Sequence, residues 1–196
     1  KLIEKFFPFI PKTNIIRIHQ KELLNLDVLI DDCMDQLTKG MFEKICFDYQ
    51  WNQDSDKDYI YDIFRVHSWN EIINIIKFWL NKGVDGFRLD AAKYVYLDDT
   101  DRNVEFWKWF MEEVRKVKED AYVVGEVWSG DAIIEEYYKS INCFDFSMSQ
   151  QNGYISYTAN GSMSVNDYVR FINTYRDRIE QVNKDAILNP FLSNHD

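Results

Sequence analysis

The stretch of residues 83–90, Gly-Val-Asp-Gly-Phe-Arg-Leu-Asp, constrains the fold more than any other part of this sequence. Its two glycines are typical of a helix end and a tight turn that leads into a strand. Phe87 and Leu89 alternate with Arg88 and Asp90, so a strand here points both ionisable side chains to one face. A structural ion pair would explain such a pattern by itself, because unpaired buried charge is costly.

Helical and strand patterns alternate around this stretch. Ser68 and Glu71 have the spacing of a capping box, and the apolar residues that follow have helical periodicity up to Gly83. Three further strands are predicted over residues 122–124, 142–146 and 186–192. Three further helices are predicted over residues 103–117, from a cap at Asp131 to about Tyr138, and after Ser164 and Asp167, which can cap a helix. Residues 150–163 are predicted to be a polar loop. Since parallel strands need a crossover between them, this order predicts a parallel sheet covered by helices.

Carboxylates follow three of these predicted strands, namely Asp90, Glu126 and Asp196. In a (β/α)8 barrel the chemistry collects at the C-terminal ends of the strands. From Asp90 to Glu126 is the length of one βα unit, and from Glu126 to Asp196 is the length of two. The three carboxylates are therefore predicted to converge on one site.

Paired carboxylates at one site favour glycoside hydrolysis, which needs a nucleophile or base and a protonated acid opposite it. Metal-assisted hydrolysis would call for more nitrogen or carboxylate ligands, and only His195 lies near the strand ends. A serine or cysteine nucleophile has no supporting elbow or base in this sequence.

The charge balance excludes some partners. A formal net charge of -10 argues against binding to nucleic acids or to an anionic membrane surface, and the sequence has no apolar run long enough to cross a bilayer. Three widely spaced cysteines predict free, buried thiols rather than a disulfide framework or a zinc site. The chain opens without a Met or a signal peptide, and its sequence does not indicate a localisation.

Three segments of this sequence resemble the α-amylase family, glycoside hydrolase family 13. Residues 82–93, with Lys-Gly-Val-Asp-Gly-Phe-Arg-Leu-Asp-Ala-Ala-Lys, resemble the second conserved region of that family. Residues 124–128, Val-Gly-Glu-Val-Trp, resemble the third region, and residues 191–196, Phe-Leu-Ser-Asn-His-Asp, resemble the fourth. The resemblance covers residues 68–196 and implies an α/β fold, a partial (β/α)8 TIM barrel with about strands 4 to 7 and their helices.

The resemblance also implies catalytic roles. Asp90 would be the nucleophile that forms a covalent glycosyl intermediate, and Glu126 would be the general acid and then the base that activates water. Asp196 would bind sugar hydroxyls and stabilise the oxocarbenium-like transition state.

Four further residues would contact or shape the substrate site by the same resemblance. Arg88 would orient Asp90, and His195 would donate to hydroxyls of the sugar that is cleaved. Lys93 and Trp128 would shape neighbouring subsites. No residue is assigned to a metal.

The N-terminal part of the sequence departs from the family pattern. Residues 1–67 are predicted to be an irregular, unassigned segment, compatible with a divergent remnant of the domain that the family inserts into its barrel. Within it, residues 14–18 suggest a strand and residues 22–37 a helix. The aspartates at 54, 56 and 58 lack the glycine and glutamate of a calcium loop, so a solvated loop is expected there. The family's first region, Asp-x-x-x-Asn-His, whose Asn helps to hold a structural calcium in the family, is absent. The sequence therefore does not decide whether the whole enzyme binds calcium.

The sequence as a whole predicts a retaining hydrolase of α-1,4-glucosidic bonds in starch or maltooligosaccharides. An α-glucosidase or a transglycosylase of the same family would carry the same motifs. A non-catalytic, sugar-binding relative is a third alternative. Because a partial barrel leaves sheet edges unpaired, the isolated chain is expected to have little or no hydrolase activity.

Overall fold

The computed structural model describes residues 28–53, 55–150 and 152–192 of the chain. The strand suggested for residues 14–18 lies outside them. The described residues form two compact units, residues 28–76 and residues 77–192, which are called the N-terminal unit and the C-terminal unit below.

The N-terminal unit contains a parallel three-stranded sheet. Its strands are β1 (Val28–Asp31), β2 (Glu43–Phe47) and β3 (Ile63–Val66), paired in the order β1-β2-β3. Two short helices connect them, α1 (Met34–Leu37) and α2 (Ser55–Tyr61). A small core forms beneath the sheet from Met34, Leu37, Cys46, Ile63 and the partly buried Leu29.

This sheet corrects the sequence prediction for residues 28–66, which are regular rather than irregular. Of the helix predicted over residues 22–37, residues 22–27 lie outside the described residues, and the rest forms β1 and α1 instead. A short apolar run such as Val-Leu-Ile fits a helix or a strand equally well, and here pairing with β2 decides. The solvated loop predicted around Asp58 is also wrong, since α2 starts at Ser55. Asp58 accepts two hydrogen bonds from Arg65 of β3, at 2.7 and 2.9 Å, a long-range contact that local sequence does not reveal.

The chain passes from the first unit to the second within α3 (Trp69–Asn81). The predicted capping box is confirmed. Ser68 Oγ accepts a hydrogen bond from the Glu71 backbone N–H at 3.3 Å, and Glu71 Oε2 accepts one from His67 N–H at 3.1 Å. The first contact gives a partner to an amide group of the first helical turn, and the second gives one to the amide group of the residue before the cap.

The C-terminal unit contains a second parallel sheet, in the order β4-β5-β6. Its strands are β4 (Gly86–Leu89), β5 (Tyr122–Gly125) and β6 (Asn142–Cys143). Its complete helices are α4 (Thr100–Arg115), α5 (Asp131–Tyr137), α6 (Tyr154–Ala159) and α7 (Val165–Val182). The alternation of strands and helices that the sequence predicted is thus present, and large apolar side chains of α4, α5 and α7 form the core, among them Trp107, Phe110, Ile134 and Ile179.

Three local predictions for this unit are wrong. The strand predicted over residues 186–192 is reduced to a single bridge between Phe144 and Asn189, because Pro190 has no N–H for a ladder and the Asn189 backbone N–H donates to the Asp145 carboxylate instead of to a strand. The polar loop predicted over residues 150–163 contains α6. Asp131 does not cap α5, whose N-cap is Gly130 without a side-chain hydrogen bond.

The thiols are partly as predicted. The described cysteines are all free, and Cys46 and Cys143 are buried, but Cys33 is exposed. Burial raises the pKa of the Cys46 thiol to about 11 and raises the pKa of Cys143 well above its usual value. Both buried thiols are therefore un-ionised at neutral pH.

A fully buried carboxylate, Asp145, follows β6. The hydroxyl groups of Tyr138 and Tyr175 each donate to Asp145 Oδ1 at 2.9 Å, and the Asn189 backbone N–H donates to Oδ2 at 2.5 Å. Burial raises the pKa of Asp145 to about 6, even though these three hydrogen bonds act in the opposite direction.

Replacing Gly86 by Ala should destabilise the C-terminal unit. A Cβ at this position would lie 1.8 Å from the carbonyl oxygen of Tyr122 on the paired strand, so β4 and β5 would have to separate. We expect a loss of about 2–3 kcal/mol in the free energy of unfolding, measured by urea denaturation. Gly130→Ala is the matched control, because a Cβ there meets no atom within 4 Å, and its loss should stay below about 1 kcal/mol. Equal losses in both variants would contradict the tight strand contact.

The Asp145 carboxylate should make stability depend on pH. An unfolded Asp titrates near 3.9, so between about pH 4 and pH 6 the folded state holds a proton that the unfolded state has released. Stability from this group is therefore lost as pH rises through that window. Relative to Asp145→Asn, the wild-type free energy of unfolding should fall by ~2 kcal/mol between pH 4 and pH 7. Denaturation of both proteins across this range tests the prediction, and a constant difference would refute it.

Candidate active site

The carboxylates Asp90 and Glu126 come directly after two paired strands. In the parallel register of β4 and β5, Leu89 lies beside Gly125. The pairing continues one step further, because Glu126 N–H donates to Leu89 O at 2.8 Å and Ala92 N–H donates to Glu126 O at 2.9 Å. Both carboxylates therefore emerge at the C-terminal edge of the sheet, as the sequence predicted.

Arg88 lies between the two carboxylates and binds both. Its Nη1 atom forms an ion pair with Asp90 Oδ1, and its Nη2 atom lies 3.2 Å from Glu126 Oε1. The Glu126 side chain is 12% exposed, whereas that of Asp90 is 52% exposed. One carboxylate is thus confined and the other opens to solvent, with one guanidinium group fixing their separation.

A left-handed residue shapes the turn after β4. Ala91 has φ 47° and ψ 40°, a conformation that costs energy for a residue other than glycine. The turn brings Ala91 N–H to 3.3 Å from Glu126 Oε2, which gives the confined carboxylate a second partner. Gly125 leaves room for the side chains packed against the end of β5, because a Cβ there would lie 2.5 Å from Ile141 Cδ1 and 3.2 Å from Ala92 Cβ.

Two buried polar groups of α4 hold the chain that follows Asp90. The Asn103 amide nitrogen donates to Lys93 O at 2.8 Å and to Tyr96 O at 2.9 Å, and its oxygen accepts from Tyr96 N–H at 2.8 Å. Trp107 Nε1 donates to Ala92 O at 2.8 Å. Sequence reasoning treated both residues as ordinary helix positions. The only signal in the sequence was the spacing of four residues, which places the Asn103 amide on the same face of the helix as Trp107.

Lys93 and Trp128 meet beside the carboxylates. Lys93 Nζ donates to Trp128 O at 2.5 Å, and the half-exposed Trp128 ring stacks on Phe146 at a centroid distance of 5.3 Å and an interplanar angle of 9°. Phe144 contacts the other side of the site, since its ring lies 5.9 Å from Arg88 Cζ. The sequence analysis did not assign Phe144 and Phe146 to the site. The available signal was that these two aromatic residues alternate with Asp145 at the end of a predicted strand.

The structure therefore brings together Asp90, Glu126 and Arg88 in direct contact, with Lys93 and Trp128 next to them. The predicted residues Asp196 and His195 lie outside the described part of the chain. Within the described ranges, no group of three His, Cys, Asp or Glu side chains could hold a metal ion. None of the helices in these ranges has both the length and the apolarity needed to cross a membrane.

Comparison with known proteins identifies relatives of this arrangement. Alpha-amylase 3 of Dictyoglomus thermophilum is 40% identical over 129 residues, which cover 64% of this chain and 24% of that protein. A 4-alpha-glucanotransferase of Thermotoga maritima is 32% identical over 68 residues, covering 35% of this chain and 14% of that protein. The solved structure of Eubacterium rectale Amy13B matches with a TM-score of 0.61 and 36% identity, covering 65% of this chain and 26% of that one.

The chain thus spans about a quarter of the length of the first of these relatives. The parallel sheets with helices agree with a partial barrel, and the assignment of strands 4 to 7 stays a prediction. Residues 40–196 match the model of the alpha amylase catalytic domain, so the match begins earlier in the chain than the three sequence motifs do. This chain belongs to the family of alpha-amylase catalytic domains.

Proposed function

We propose that the protein containing this chain is a retaining glycoside hydrolase that cleaves α-1,4-glucosidic bonds of starch or maltooligosaccharides. The observation that carries the proposal is the single Arg88 guanidinium that binds two carboxylates at neighbouring strand ends. Family membership supports glycosidase chemistry on α-glucans.

The shared guanidinium fits the retaining mechanism that the family resemblance implies. Retaining enzymes hold their two carboxyl groups about 5–5.5 Å apart, whereas inverting enzymes leave roughly 6.5–9.5 Å for a water molecule. Asp90 and Glu126 bind neighbouring nitrogens of one guanidinium group, which keeps the two carboxyl groups close.

In this mechanism Asp90 attacks the anomeric carbon while Glu126 protonates the departing glycosidic oxygen. A covalent glycosyl ester forms on Asp90 as the glycosidic bond breaks. Glu126 then takes a proton from a water molecule that attacks the same carbon and releases Asp90. The greater exposure of Asp90 fits the nucleophile, and the confinement of Glu126 fits the residue that exchanges a proton.

The remaining site residues act on the substrate around these two. Arg88 orients Asp90 and Glu126 relative to each other. Trp128 offers an open ring face for a sugar, and Lys93 fixes the backbone at Trp128. Asp196 and His195 are proposed to bind hydroxyl groups of the sugar that is cleaved and, for Asp196, to stabilise the transition state.

A transglycosylase is the second candidate, favoured by the similarity to a 4-alpha-glucanotransferase. The same carboxylates would form the same ester, and a sugar hydroxyl would replace water in the second step. Product analysis with maltotriose separates the two: glucose and maltose alone indicate hydrolysis, and longer oligosaccharides indicate transfer. An α-glucosidase would release glucose from chain ends, and a non-catalytic relative would bind maltooligosaccharides without turnover.

Removing either carboxylate should abolish most of the activity. In the full-length protein, Asp90→Asn and Glu126→Gln should each lower kcat on a nitrophenyl maltooligosaccharide by about 10³-fold or more, because each removes a group that acts in the transition state. Asp85→Asn is the control, since Asp85 is exposed and pairs with Lys118 at the other end of the strand. Near-normal rates in either catalytic variant would refute the assignment.

Replacing Arg88 by Lys tests whether the site needs the two-nitrogen geometry of the guanidinium group or only its positive charge. A lysine keeps the positive charge but cannot present two neighbouring nitrogens to Asp90 and Glu126. We expect kcat to fall about 10- to 100-fold with little change in KM, measured by initial rates. Arg102→Lys, at an exposed position of α4, should leave both constants unchanged, and an equally active Arg88→Lys variant would rule out the bridging role.

The expectation that this stretch alone turns over little substrate stays a prediction. A soluble monomer of residues 1–196 that cleaves the same nitrophenyl substrate would contradict it.

A further inference from the structure

Asp145 lies between two aromatic residues that contact the candidate active site. Phe144 contacts Arg88, and Phe146 stacks on Trp128. Asp145 contacts different partners, because its carboxylate accepts hydrogen bonds from Tyr138 and Tyr175 in the helical layer. The chain after β6 therefore directs its aromatic neighbours to the site and its carboxylate away from it.

The same residue anchors the segment of residues 187–192. Asn189 N–H donates to the Asp145 carboxylate, and Asp145 N–H donates to Asn189 O at 3.1 Å. Ser149 Oγ donates to Asp145 O at 2.8 Å and accepts from Phe191 N–H at 3.0 Å. Both the side chain and the backbone of Asp145 thus hold this segment beside β6.

Phe191 connects this anchored segment to the two aromatic residues that contact the site. Its ring packs edge-on against Phe144, with a centroid distance of 5.6 Å, and against Phe146, with a distance of 5.1 Å. A shift of residues 187–192 would remove the support behind both rings, and with it the contact that backs the Trp128 ring. Because protein interiors are close-packed, a displacement of this segment should also displace the aromatic rings packed against it.

Several donors meet at the Asp145 carboxylate. The Tyr175 hydroxyl and the Asn189 N–H donate to it, and the Tyr138 hydroxyl, which also lies 3.0 Å from Cys143 O, is within reach of the same carboxylate oxygen as Tyr175. An ionised carboxylate can accept from all three because it carries no hydrogen of its own. An asparagine would turn its NH₂ group toward at least one donor. Burying a carboxylate is costly, so a residue needed for packing alone would be better served by a neutral side chain.

We propose that Asp145 is a positioning residue that sets the orientation of Trp128 and Arg88 through Phe146, Phe144 and Phe191. The proposal rests on the proposed function for its kinetic consequence, while its structural consequence stands independently. Asp145 does not contact the reacting atoms in this proposal, and it acts through the three aromatic rings.

The first test follows Trp128 directly. The full-length protein is labelled with 5-fluorotryptophan, and the Trp128 resonance is assigned in its ¹⁹F spectrum from Trp128→Phe. Asp145→Asn should shift or broaden this resonance in a protein that remains folded by circular dichroism. Tyr175→Phe, which keeps the carboxylate and removes one donor, should move the same resonance less. Glu135→Gln is the control, because it removes the charge of Glu135 from the ion pair with Arg178 between α5 and α7 and leaves Asp145 in place.

The second test is kinetic. Asp145→Asn should lower kcat/KM on the nitrophenyl maltooligosaccharide by about 10- to 100-fold, whereas Glu135→Gln should not change it. An unmoved Trp128 resonance with normal kcat/KM in folded Asp145→Asn would overturn the proposal. If that variant does not fold, Tyr175→Phe decides by the same two readouts. If the proposed function is wrong, Asp90→Asn will show unchanged turnover. The ¹⁹F spectrum of Asp145→Asn would then still test whether Asp145 positions Trp128.

Discussion

The parallel pairing of β4 with β5 is the interaction on which the candidate site depends. Two strands of four residues place Asp90 and Glu126 at one edge, and backbone hydrogen bonds from Glu126 and Ala92 extend the register past the strand ends. This pairing requires a residue without a Cβ at position 86, where the opposite carbonyl group leaves no room. The position of the two carboxylates is thus fixed by backbone geometry before any side chain contributes.

Buried polar residues then fix the site from two sides. Asn103 and Trp107 hold the turn after Asp90 from α4, and Asp145 holds the chain after β6 from α5 and α7. Between them, Arg88 links the two carboxylates. The side chains of Arg88, Asp90 and Glu126 are partly exposed, so their position depends on supporting residues that lie deeper in the protein.

The sequence was most informative where local signals agree with one another. The capping box at Ser68, the glycine-bounded β4 and the helical periodicity of α4 and α7 each have a short-range physical cause, and the structure contains all of them. Pairing between distant segments was less predictable. The sheet of residues 28–66 depends on strands of four or five residues, and the contact between Asp58 and Arg65 joins two elements that no local pattern connects. For the same reason the segments that carry Asp90 and Glu126 could be recognised from local sequence, whereas the contacts of Asn103, Phe144 and Asp145 emerged only from the three-dimensional structure.

Each unit contains one buried cysteine whose reactivity can report the unfolding of that unit. Cys46 is buried in the sheet of the N-terminal unit, and Cys143 is buried in β6 of the C-terminal unit. Because burial keeps each thiol un-ionised, neither reacts with an alkylating reagent until its own unit exposes it. Once the exposed Cys33 has been blocked, the order in which the two thiols become reactive in rising denaturant distinguishes a molecule that unfolds in one cooperative step from one whose halves melt in turn.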